Sequence, residues 1–281
     1  MTLGIQHPPA YPLHSLIGRL FNFIPLGAPA FRINMMAAFF GALTCALLVL
    51  ALQLWFAHGD EECKGSGAVT AAAMVSGLVL GLSKTFWSQS LAAKGGIYTL
   101  HSACLAGLFL CMGLWSREAA VAAGSFPQRP LSLLASRWFR LAVFIFALSF
   151  GNHWETQALL VPATLVFVFL VLKGEGPWLF WRTVPAAAVK NPAKKSNGPQ
   201  ANAAGVTAWP LSLWAWPLAL AAVGLSVYAY LPLRAGFSPF LDWGDPRDWN
   251  QFWWVFQRQE YLDLEVGFLK SLRSFLLGAG P

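Results

Sequence analysis

A chain of 281 residues that is 57% hydrophobic and only 11% charged, with a mean hydropathy of +0.54, is not a soluble domain, which would carry roughly a quarter charged residues. It reads as all-α, a polytopic transmembrane helical bundle, and its 14 Trp and 22 Phe suit interfacial belts and helix contacts in lipid. The net charge of +7 implies no nucleic-acid partner, because no basic stripe carries base-stacking aromatics; cytoplasmic loop charge accounts for it better.

Met1 to Arg32 has neither the basic start nor the small-residue cleavage site of a signal peptide. It holds a rigid turn at His7-Pro8-Pro9-Ala10-Tyr11-Pro12, where prolines fix φ. Leu13 to Leu26 then predicts a short amphipathic helix along the interface. Ile33 to Ala57, about 25 nearly unbroken apolar residues, is long enough to span. A polar loop, His58 to Gly67, leads to a second span at Ala68 to Phe86, rich in Ala and Gly for close helix packing. Ser88 to Gly96 reads as a loop and Ile97 to Trp115 as the third span.

Arg117 to Arg137 is a basic, proline-interrupted loop. Trp138 to Gly151 and Thr156 to Leu172 predict two short spans hinged by Asn152-His153-Trp154-Glu155. Non-helical backbone is tolerated at membrane depth only where protein or a cavity surrounds it, so the hinge is expected in a cavity. Residues 173–208 form a flexible cytoplasmic loop, and Trp209 to Leu231 is the sixth span. Trp249 to Leu277 mixes aromatics with charge and reads as an interfacial helix. The layout is therefore one transmembrane domain over residues 1–281: a turn and interfacial helix (1–32), six spans (33–231), and a loop with an interfacial helix (232–281).

Lys and Arg collect in the loops after spans one, three and five, which the positive-inside rule assigns to the cytoplasm. Alternation then gathers the odd polar features on the extracytoplasmic face: the His7 turn, Lys94 to His101, Asn152 to Glu155, Arg234, and Asp242-Trp243-Gly244-Asp245-Pro246. An N-terminus crossing the membrane without a signal leads us to expect a further span upstream of Met1.

Each feature has a plain structural reading beside a functional one. Around Asp242, Gly244 suits a positive-φ turn, Asp245 an N-cap, Pro246 the first helical position and Asp248 a first-turn acid. His153 beside Glu155 is either a satisfied core pair or a membrane-depth site, since ionisable groups there are expensive. Tyr98 and His101 are three residues apart on one helical face. Lys94 either snorkels or binds, and Arg234 either anchors the interface or grips a phosphate with its bidentate fork. Cys45, Cys63, Cys104 and Cys111 form no CxxC pair, so we expect neither disulfide nor metal. Zinc, P-loop and dinucleotide motifs are lacking, and no cofactor is expected.

The motifs His7-Pro-Pro-Ala-Tyr-Pro-Leu, Arg32-Ile-Asn34, Phe86-Trp87-Ser-Gln-Ser, Ile97-Tyr98-Thr-Leu-His101, Gly151-Asn152-His153, Tyr230-Leu-Pro-Leu-Arg234 and Asp242-Trp-Gly-Asp-Pro occur in that order. In this the chain resembles the bacterial members of a multi-spanning family long catalogued as a domain of unknown function, which includes the animal transmembrane-protein-260-type O-mannosyltransferases. The resemblance implies a GT-C-like fold and a multi-pass protein of the cell inner membrane. It implies transfer of a sugar from a polyprenyl-phosphate donor to an acceptor protein or glycan at the extracytoplasmic face. It also implies an upstream helix and acidic loop, and a chain truncated at both ends. On this reading Glu155, Asp242 and Asp245 are the catalytic carboxylates. His7, Tyr11, Lys94, Tyr98, His101, Asn152, His153 and Arg234 bind substrate, with Lys94, His153 and Arg234 on the phosphate. The bilayer is the remaining partner. The alternatives are a transporter or flippase-like protein for a lipid-linked or anionic substrate, favoured by the short spans and hinge, or an inactive fragment.

Overall fold

The computed structural model describes residues 3–56, 67–121, 133–173 and 212–261. The loop after the first span, the 174–208 linker, Cys63 and the continuation beyond Tyr261 lie outside them. Among the described residues the chain is an all-helical polytopic bundle with α1 (Pro12–Phe21), α2 (Pro29–Phe56), α3 (Gly67–Leu82), α4 (Lys84–Leu91) and α5 (Gly96–Val121). There follow α6 (Arg137–Lys173), α7 (Ser212–Leu225), a 3-10 turn (Ser226–Ala229), α8 (Tyr230–Ala235), α9 (Trp249–Phe256) and a last 3-10 turn (Gln259–Tyr261).

α1 is shorter than its amphipathic pattern predicts, and starts from two residues in left-handed backbone, Ala10 (φ 69°) and Tyr11 (φ 42°). Arg32, in the first turn of α2, closes the link behind α1. Its guanidinium donates to the carbonyls of Leu26, Asn22 and Gly27 at 2.9, 2.8 and 3.0 Å. α2 and α5 pack lengthwise, joined by Thr44 Oγ1 donating to the Thr99 carbonyl at 3.3 Å and by Trp55 stacked on Phe109 at 5.0 Å.

Three expected boundaries change. The second span is not continuous to Phe86: Ser83 is extended (ψ 136°), and α3 meets α4 at 62°. The polar Ser83-Lys84 pair sits where the apolar run ends, and the Ser83 hydroxyl donates to the Leu80 carbonyl at 2.8 Å. Much of the Ser88–Gly96 loop is accordingly helical. α5 runs on to Val121, so Arg117 is helical and donates to the Leu54 carbonyl at 2.7 Å. Pro232 to Arg234, expected in the loop after the sixth span, are likewise helical.

The hinge contracts to one residue. α6 holds 37 residues with helical backbone interrupted only at His153 (φ −149°, ψ 79°). Trp115 nevertheless touches both Phe139 and Phe167, with ring centroids at 4.7 and 6.3 Å. A straight helix would hold those phenylalanines roughly 42 Å apart. α6 is therefore a hairpin whose legs, 137–152 and 154–173, return to the same end of the bundle. There Phe139 and Val171 share one buried cluster with Trp115.

Small residues let the helices close. A Cβ at Gly224 of α7 would stand 2.8 Å from both the Ala147 Cβ and the Leu148 amide nitrogen of α6. A second cluster, Ile5, Ala10, Leu231, Ala235 and Val255, lies at the opposite end and binds the N-terminal segment to α8 and α9.

Candidate functional site

The N-terminal segment, the start of α5, the α6 turn and the chain after α8 meet at that second end. The backbone is stitched there over a long sequence separation. The Ile5 amide donates to the Leu241 carbonyl at 2.8 Å and the Trp243 amide to the Ile5 carbonyl at 3.3 Å, making a parallel bridge between Ile5 and Asp242. Tyr230 Oη donates to the Gly4 carbonyl at 3.0 Å, and Arg234 Nε donates to the Leu3 carbonyl.

His153, released from the helix at the α6 turn, is the hub. Its ring lies 5.6 Å from His101, 6.1 Å from Tyr98 and 6.3 Å from Tyr11. His7 extends the layer, 5.5 Å from Tyr11 and 6.2 Å from Trp243. Under the layer, Glu155 Oε2 is 3.3 Å from His153 Nδ1, while its Oε1 accepts from Arg258 Nη1 at 2.6 Å. His153 Nδ1 also lies 3.1 Å from Thr156 Oγ1. Asn152 is buried and clamps the α6 turn to α5 by donating to the Ile97 carbonyl at 2.6 Å. Burial, with the Glu155 charge second, pushes the Tyr11 phenol up to about 12. It stays a neutral hydrogen-bonding group at any working pH.

His7, Tyr11, Tyr98, His101, Asn152, His153 and Glu155 thus form one cluster, although 148 positions separate the outermost pair in sequence. The other candidates stand apart from its centre. Asp242 sits in the loop that presents Trp243; its carboxyl is raised by burial and then by the neighbouring Asp245 charge, with Arg247 and Arg234 opposing. Asp245 pairs with Arg247 at 2.6 Å. Lys94 is exposed in the turn between α4 and α5. Arg234 turns its Nε to main chain.

The expected cap needs correction. α9 begins at Trp249, and its N-cap is Asp248, which accepts from the Gln251 amide at 2.9 Å. Asp245 instead takes left-handed backbone (φ 39°) next to Gly244 (φ 75°), so the turn consumes Asp245 and Pro246 before the helix starts. Arg258, the cation on Glu155, escaped the sequence reading. Its signal was thin: one arginine in Gln-Arg-Gln-Glu-Tyr behind an aromatic helix, 103 residues from its partner.

An apolar groove of about 780 Å³ opens between α2, α3 and α4. Gly41, Cys45, Gly77 and Gly81 line it together with Phe86, Trp87 and Ser90 of α4.

The family model described as "Protein O-mannosyl-transferase TMEM260 N-terminal domain" matches residues 1–175. The mouse protein O-mannosyl-transferase TMEM260 is 26% identical over 262 residues, covering 92% of this chain and 29% of that protein. The chain thus spans under a third of the length of this relative. No solved structure matches the chain.

Proposed function

The chain belongs to the family of the protein O-mannosyl-transferase TMEM260 N-terminal domain, and on that premise we propose that its polar end is the sugar-transfer site of a GT-C-type membrane glycosyltransferase. The observation that carries the reading is the convergence of Glu155, Arg258 and His153 under a wall of Tyr11, Tyr98, His101 and His7. The side is extracytoplasmic, the membrane a bacterial inner membrane, the donor a polyprenyl-phosphate sugar and the acceptor a protein or glycan hydroxyl.

In the transfer, the acceptor oxygen bonds to the anomeric carbon, the bond from that carbon to the phosphate oxygen breaks, and the acceptor proton passes to a carboxylate. Asp242 suits the base, because burial and the Asp245 charge raise its carboxyl. Glu155, held by Arg258, orients a sugar or acceptor hydroxyl, and Trp243, partly exposed, offers an apolar ring face to the sugar. The groove between α2 and α4 is large and apolar enough for a lipid tail, and Lys94, exposed between α4 and α5, is a phosphate-binding group. His153 is the second phosphate-binding group. Arg234 fixes the N-terminal segment through its Nε bond to the Leu3 carbonyl, and the rest of its guanidinium fork is the third phosphate-binding group.

Transfer from a radiolabelled polyprenyl-phosphate mannose, in membranes carrying the full-length gene at matched expression, tests the reading. Asp242→Asn and Glu155→Gln should each lower transfer by about 10²-fold or more, the range of lost acid–base help. Wild-type rates in both would remove the site. The broken α3–α4 pair and the interruption at His153 favour a second reading, a carrier for a lipid-linked substrate. It predicts substrate translocation without transfer in the same membranes.

A further inference from the structure

After α8 the chain leaves the bundle in a loop whose two sides differ in kind. Its inner side is fixed: Leu241 and Trp243 are bridged to Ile5, Arg247 Nη2 donates to Ser238 Oγ at 2.8 Å, and Ala235 and Val255 are fully buried. Its outer side carries Phe237, 78% exposed, and Phe240, 99% exposed. Leu233, just before them, is 67% exposed, and Trp249, just after, 68%. A loop on a water-facing surface gains nothing by holding two phenylalanines outward on a braced backbone.

The apolar strip is continuous with a surface already in lipid. Trp216, Leu218, Val223 and Leu225 face outward along α7 within the apolar stretch Ala215–Ala235, and exposed Leu233 lies two residues before its end. Phe237 lies two residues beyond it and Phe240 five, a distance from the end of a span that suits the headgroup-to-acyl boundary, where aromatic side chains concentrate. Arg247, paired with Asp245, lies on the polar side of the same loop. We infer that the 236–243 loop is a membrane-seated lip: Phe237 and Phe240 insert into the leaflet on the site's side, while Trp243 on the inner edge of the same loop touches His7.

The occupant is the bilayer itself, not a soluble partner or a second protein segment. The lip sets the cluster around His153 at lipid-headgroup height. Material reaches it sideways from the membrane past Phe240 as well as from water.

The experiment places single cysteines, in a background lacking the native ones, at 237, 240 and 247, each carrying an environment-sensitive fluorophore. The natural full-length protein is reconstituted in phosphatidylcholine–phosphatidylglycerol nanodiscs, with shallow doxyl lipids as the membrane quencher and iodide as the aqueous one. Positions 237 and 240 should be quenched at least twofold more by doxyl lipid than position 247, with blue-shifted emission, and position 247 more by iodide. Iodide quenching at 240 equal to that at 247 overturns the lip. Protection of 240 from both quenchers also overturns it, since protein would then cover the loop. Thermal stability of each labelled protein matching that of the unlabelled one keeps the readout on a folded loop.

Discussion

His14 holds an unusual place for an ionisable group. It is buried in α1, 7% exposed, with Nδ1 3.1 Å from Gln6 Nε2 and Nε2 against Gly96. Burial lowers its pKa from 6.5 to about 4. A depressed folded pKa means that the neutral ring contributes stability above the unfolded value, and the contribution drains away as pH falls from about 6.5 to 4. The difference corresponds to roughly 3 kcal/mol. Thermal unfolding in detergent should therefore weaken between pH 6.5 and 4, and His14→Gln, which keeps an acceptor for Gln6, should flatten that slope. Equal slopes in the two proteins would show that His14 does not carry the pH dependence.

At the scale of elements, the aspartates after Gly244 divide the labour differently from the motif's first reading. Asp248→Ala should cost about 1 kcal/mol through loss of the α9 cap. Asp245→Ala should cost less, because its pair with Arg247 is half-exposed and surface pairs are worth about 0–1 kcal/mol. Denaturant or heat unfolding of the two variants, side by side, would rank them; the reverse order would restore Asp245 as the cap. The same contrast shows what was legible. Spans one and three could be read because apolar length alone sets a membrane helix. The α6 turn could be read because Asn152, His153 and Glu155 interrupt an apolar run, yet its narrowing to His153 goes with Asn152 bonding the Ile97 carbonyl, which no local pattern encodes. The α3–α4 bend was missed for a related reason: one serine in an extended conformation leaves the composition of the stretch unchanged.

For the whole molecule, alternation of spans assigns His7, Tyr98, His153 and Glu155 to one face, and the fold brings them together at one end of the bundle. The same alternation puts Arg258 on that face but does not name its pairing with Glu155, 103 residues away, which is made only by folding. The side of the membrane remains a prediction of that alternation. Single cysteines at positions 153 and 243, in a background lacking the native cysteines, should label from outside intact cells, and position 195 only after permeabilisation. Labelling of 195 and 243 from the same side would refute the arrangement.

The bond from Arg234 to the Leu3 carbonyl joins residues 231 positions apart, and that separation has a meaning in time. At about 5–20 residues per second, a ribosome needs roughly 10–50 seconds to pass from one partner to the other. Through that interval Leu3 is already made, but the helix that receives it is not. The polar end is thus the last part of the bundle to close during synthesis. A nascent chain stalled before Tyr230 would hold its helices in the bilayer while His7 and Tyr11 remained open to proteases, and digestion of such stalled chains would date the closure.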